Sequence, residues 1–206
     1  VESEDFENNK SNLKRLDNYD GIIVPGGFGK RGTDGIMLAA DYARKNSIPF
    51  LGLCFGFQLA LIAFARYVCG LNDANSIELD PKTKNPIINI LPSQKKIKEK
   101  GGSMRLGGHY VEVIRDTRAY KIYGKDKIRQ RHRHRFEFNK EYQELLEKNK
   151  LVLSGFSDEG RRTEILEITD HPFYMATQYH PEFLSRPGEP EPVSYTHLTL
   201  PTSDLV

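Results

Sequence analysis

An α/β domain built on a mostly parallel sheet is the fold this sequence predicts, and three observations carry the prediction. The β-branched run "IIV", Ile22 to Val24, stops dead at Pro25, Gly26 and Gly27. A helically spaced stretch, "GTDGIMLAADYARKNS", follows it. A second apolar run, "IPFLGL", then passes straight into another helical stretch, Phe57 to Val68. Strand, helix, strand, helix at this spacing implies right-handed crossovers between parallel strands.

Each element has a local reason. In the first helix Thr33 or Asp34 serves as N-cap, and Ile36, Ala39, Ala40 and Ala43 form one face. The second half is richer in strands: "PIINIL", "HYVEVI", "KLVLSGFS", "TEILEIT" and "FYMATQYH" carry β-branched or aromatic residues, some of them alternating. One helix, "NKEYQELLEKN", interrupts them, and the Lys- and Gly-rich "SQKKIKEKGGSMRLGG" reads as a solvated loop.

Composition narrows the function classes. A chain of 206 residues with 28% charged residues is an ordinary globular domain, and a net charge of +2 does not favour nucleic acid. No apolar run approaches the roughly 20 residues that span a bilayer, and no signal peptide is visible. The two cysteines, Cys54 and Cys69, flank one helical unit at roughly 20 Å, too far for a disulfide. Free thiols fit a reducing compartment, so the cytoplasm is the expected location. No CxxC or HxxxH grouping offers a metal site. Residues 1–19 are expected to be poorly ordered and to be part of something longer. Residues 194–206, "SYTHLTLPTSDLV", show no amphipathic pattern and read as an artefactual tail, which leaves 20–193 as the domain.

"GLCFG" is the stretch that carries chemistry. A strand ends, a turn holds Cys54, and a helix begins behind it, with Gly52 and Gly56 where side chains would collide with neighbouring elements. A helix N-terminus directs its unpaired N–H groups at such a thiol and favours the thiolate. A core cysteine explains a lone thiol in an apolar run at least as well; a base decides between the two. "ATQYHPEF" supplies His180 at the end of a predicted strand and Glu182 two residues on. His180 can accept the thiol proton, and Glu182 can hold the ring and stabilise its cation. "VPGGFG" opens on the same sheet edge, and a glycine N–H there, with that of Phe55, can bind an oxyanion.

"PGGFG", "GLCFGFQ" and "QYHPEF" resemble the class I (triad) glutamine amidotransferases. Within that family "PGGFGKRG", "DANSIEL", "GGSMRLG" and "RHRHRFE" are similar to the C-terminal glutaminase domain of the CTP synthases. The resemblance runs from about Asp20 to Pro192. It implies a flavodoxin-like three-layer α/β/α sandwich and glutamine hydrolysis by Cys54, His180 and Glu182. It further implies an oxyanion hole at Gly27 and Phe55, with L-glutamine held by Gly27, Phe55, Gly56, Phe57, Gln58, Glu78 and Arg135. Ammonia would pass to a synthase domain, absent from these residues, that aminates UTP using ATP and Mg2+ with GTP as effector. The full-length enzyme would be a homo-tetramer; this domain itself would need no cofactor.

The run "RQRHRHRF" could be a nucleic-acid patch or a metal site. As a strand, however, it places arginines on one face and histidines on the other, with no aromatic interleaving to stack bases. The resemblance makes it part of the glutamine pocket and of the interdomain contact. Two other readings stand beside the first. One is a different triad amidotransferase or a γ-glutamyl hydrolase, which should lack "GGSMRLG" and "RHRHRF". The other is a non-catalytic module, which should have lost the Cys, the His or the glycines.

Overall fold

The computed structural model of the chain describes residues 1–90 and 104–200. In chain order these form α1 (Glu4–Asn8), β1 (Ile22–Val24), α2 (Thr33–Lys45), β2 (Phe50–Leu53), α3 (Phe55–Tyr67), β3 (Ala74–Ser76), β4 (Asn85–Ile90) and β5 (Arg105–Val113). Then come α4 (Arg118–Tyr123), β6 (Lys127–His134), β7 (Phe136–Phe138), α5 (Gln143–Lys148), β8 (Val152–Ser157), β9 (Arg162–Glu167), β10 (Tyr174–Thr177) and α6 (Pro192–Leu198).

Seven strands make one sheet in the order β1-β2-β10-β9-β8-β5-β6. β1, β2 and β10 pair in parallel, and every later neighbour pairs antiparallel. Five of the seven strands therefore run in one direction, although only two of the six pairings are parallel. The sheet is mixed, and its parallel part is the part that carries the crossovers. β2 and β10 are buried along their whole length, as central strands covered on both faces must be. β3, β4 and β7 form a separate three-stranded sheet.

The layers follow from which face each apolar residue takes. Phe50 of β2 joins α1, α2, α3 and α5 in one core, while Leu51 and Leu53 join α4 and α6 in a second core on the opposite face. This is the α/β/α arrangement that the family resemblance implies. α3 is buried from Phe55 to Ala65, because it lies against β2, β10, α2 and the small sheet. None of the described helices is long and apolar enough to cross a membrane.

Three expectations are corrected. Residues 1–19 are not loose: α1 and the 3-10 segment Lys10–Asn18 place Phe6, Leu13 and Leu16 in the first core, against α2. Few apolar residues occur there, but their spacing puts those three on one side. At the other end, α6 takes in the start of the supposed tail. Glu191 caps it by accepting from the N–H of Val193 and of Ser194, and Val193 and His197 are buried. Of the Lys- and Gly-rich loop expected over 93–108, residues 93–103 lie outside the described residues, as do the tail residues 201–206, whereas Arg105 to Gly108 belong to β5 and pair antiparallel with β6.

Substituting Phe6→Ala should lower unfolding free energy by about 3 kcal/mol in denaturant titration, the usual cost of emptying an aromatic core position. A loss under about 0.5 kcal/mol, typical of an exposed site, would mean the N-terminal helices are not part of the folded unit.

Candidate active site

The turn between β2 and α3 is set by close packing. A Cβ on Gly52 would lie 2.8 Å from the carbonyl oxygen of Gly56, and a Cβ on Gly56 would press into the backbone of Val24. With strand and helix this close, Cys54 turns the chain at φ 49°, ψ −93°, an uncommon conformation for a side-chain-bearing residue. Two hydrogen bonds fix it: its N–H donates to the Thr177 carbonyl (2.7 Å), and its own carbonyl accepts from the N–H of Gln58 (3.2 Å).

His180 arrives at the same edge from β10, the neighbour of β2. Its N–H donates to the carbonyl of Arg131 in β6 (2.8 Å). Nδ1 lies 2.7 Å from Oε1 of Glu182, and the ring stacks on Phe183 with centroids 4.4 Å apart. Pro181 starts a 3-10 turn that folds Glu182 back to the imidazole. The other ring nitrogen, Nε2, is buried and has no standard hydrogen bond. A Cβ built on Gly26 would sit 2.7 Å from Cε1 of His180 and 3.7 Å from Cβ of Cys54, so glycine, thiol and imidazole meet around one point. Burial opposes charge on this ring, but its interactions with Cys54 and Glu182 outweigh that and lift it to about 9.

The sulfur is not enclosed by aliphatic groups. It lies 3.8 Å from the carbonyl oxygen of Arg133 and accepts a 3.8 Å contact from Nε2 of Gln178. It borders a cavity of about 600 Å³ that Gly27, Phe55, Gln58, Glu78 and Arg135 also line. Glu78 is half-buried; burial raises its carboxyl, while the N–H of Gly29 and the Arg135 guanidinium act the other way. Gln58 donates from Nε2 to the Phe136 carbonyl (2.9 Å) and to Oε1 of Gln178 (3.2 Å).

Gly56 and Phe57, expected to hold glutamine, do not line the cavity. Gly56 is spent on the contact with Val24, and Phe57 is fully buried in the first core. In a helix starting at Phe55, successive residues point about 100° apart, so a four-residue segment cannot face one cavity throughout.

The Arg/His alternation of β6 is resolved as a strand: Arg129, Arg131 and Arg133 are exposed, while His132 and His134 are buried. Burial pushes His134 down to about 3 and leaves it neutral, with Nδ1 bonded to the Phe136 carbonyl at 3.1 Å. Sequence reasoning missed Gln178, Gly26 and the backbone carbonyls of β6. The first two stand inside quoted motifs, but nothing in a sequence marks a carbonyl.

Residues 1–198 match the family described as glutamine amidotransferase class-I. This chain belongs to that family. Its similarity within the family is to CTP synthases: it is 55% identical over 196 residues to the CTP synthase of Archaeoglobus fulgidus and 51% identical over 193 residues to that of Methanocaldococcus jannaschii. Those alignments cover 93% and 94% of this chain and 36% of each relative, so the chain spans about a third of their length. Among solved structures, the glutaminase domain of Trypanosoma brucei CTPS with bound acivicin superposes with a TM-score of 0.91 at 38% identity, over 97% of this chain and 78% of that one.

Gly26 has no positive φ, so alanine there changes only the space in front of the imidazole. Gly26→Ala should slow alkylation of Cys54 by a neutral haloacetamide roughly tenfold or more, with little change in melting temperature, because displacing a catalytic group by about an ångström costs up to about a hundredfold. Unchanged alkylation would separate His180 from the reactivity of the thiol.

Proposed function

We propose that this domain hydrolyses L-glutamine with Cys54 as nucleophile, His180 as base and acid, and Glu182 as its orienting carboxylate. The observation that carries the reading is the meeting of thiol and imidazole at the glycine turn, open to a cavity, in a chain of the class-I family.

His180 takes the proton of Cys54, and the sulfur adds to the side-chain amide carbon of glutamine. The carbonyl electron pair moves onto oxygen, where the N–H groups of Gly27 and Phe55 stabilise it. Collapse breaks the C–N bond, the imidazolium protonates the departing nitrogen, and ammonia leaves behind a γ-glutamyl thioester. Water, deprotonated by His180, adds to the thioester, glutamate departs and the thiol is restored. Glu78 suits the substrate's α-ammonium group and Arg135 its α-carboxylate, since both line the cavity.

In the longer protein that the relatives represent, the ammonia would aminate UTP to CTP. ATP, Mg2+ and the effector GTP would belong mainly to the part this chain does not span, as would most contacts of a homo-tetramer. Two free cysteines fit a cytoplasmic protein.

An electrophilic glutamine analogue should label the native chain and leave Cys54→Ala unlabelled; label at another residue of the substituted chain would remove Cys54 from the mechanism. The chain alone should hydrolyse glutamine weakly or not at all and form no CTP. Adding the separately produced synthase portion of a relative should give glutamine-dependent CTP formation. Synthesis from free ammonia but never from glutamine would contradict the assignment.

A further inference from the structure

Glu164, in the middle of β9, is fully buried and lies outside the cavity. Its carboxylate accepts from Arg105 of β5, from Ser157 of β8 and from Nε2 of His132 in β6, the last at 3.0 Å. Three donors from three strands converge on one side chain of a fourth. Its backbone carbonyl accepts the N–H of Gln178 at 2.9 Å. Gln178 is the residue whose side chain reaches the sulfur, and it lies two positions before His180.

The other end of the connection is β6. As an edge strand it has backbone carbonyls with no strand partner. That of Arg131 receives the N–H of His180, and that of Arg133 lies against the sulfur of Cys54. His132, between these two residues, is the one that Glu164 grips.

We infer that Glu164 is a positioning residue for the Cys54–His180 pair: it fixes β6 through His132 and the β10 exit through Gln178, and so sets the spacing of thiol and imidazole. The inference rests on the thiol–imidazole reading above. The groups facing Glu164 are Arg105, His132, His134 and Tyr179 from the packed elements, with Glu137 also close enough to interact. Burial alone would protonate this carboxyl, but the hydrogen bond from His132 and the Arg105 guanidinium hold it down at about 2, so it stays a charged anchor. A plain core ion pair would steady the fold without steering chemistry; the carbonyl contacts to both reacting residues distinguish this one.

The test measures the pH profile of Cys54 labelling by an electrophilic glutamine analogue on the full chain. Glu164→Gln removes the charge. His132→Phe removes only the link to β6 and leaves Glu164 paired with Arg105 and Ser157, so it decides the matter if Glu164→Gln does not fold. Leu146→Ala, in α5 and fully buried, serves as a destabilised control. Both site-linked variants should label roughly tenfold to a hundredfold more slowly, with profiles displaced toward that of His180→Asn, whereas Leu146→Ala keeps the native profile despite a lower melting temperature. Native rate and profile in His132→Phe would overturn the inference while leaving the triad standing. A native profile in His180→Asn would remove the pair itself, and this inference with it.

Discussion

The contact between Gly52 at the end of β2 and Gly56 at the start of α3 is the constraint on which the site depends. Strand and helix approach until neither position has room for a methyl group. The residue between them must reverse the chain within one step, which is why Cys54 takes a positive φ and lifts its sulfur off the sheet edge. Uncommon backbone conformations persist only where their surroundings over-determine them. Here the N–H of Cys54 is held by Thr177 in the adjacent strand, and its carbonyl begins the helical bonding of α3.

The remaining geometry follows from strand order. β10 lies beside β2 and runs parallel to it, so the two strands end at one edge and deliver Cys54 and His180 together. The sheet is last closed over the site by β6, seventh in the order yet bonded to His180 through Arg131. Such a return requires the sheet to curl, and the four antiparallel pairings beyond β10 are where it does so. An edge strand normally exposes unpaired carbonyls to water or to other chains. In this fold two of those carbonyls, of Arg131 and Arg133, face His180 and Cys54 instead.

Local chemistry was legible in the sequence and long-range closure was not. An apolar run flanked by glycines marked the turn at Cys54, and His180-Pro181-Glu182 marked an imidazole with a carboxylate folded back onto it, because these depend on residues adjacent in the chain. The alternation in β6 separated its arginines and histidines onto opposite faces, since side-chain direction in a strand has period two, but which face is buried emerges only from the sheet. Gly56 and Phe57 share a motif with Phe55 and Gln58 but not the cavity wall, because a motif records sequence neighbours, whereas a helix turns neighbours to different faces. The N-terminal segment misled because its three buried residues are diluted among polar ones. Glu164 sits in an unremarkable strand, "TEILEIT", and its importance comes wholly from the strands that fold onto it.

The His180 imidazole is buried with the Cys54 thiol and the Glu182 carboxylate, whose interactions with the ring outweigh its burial. Nitrogen NMR of the His180 ring across a pH series, in the native chain and in Cys54→Ala, measures this directly. The native ring should titrate at about 9 and move to lower pH once the thiol is gone. A native midpoint at the ordinary value of 6.5, unmoved by removal of the sulfur, would show that the two groups do not act together.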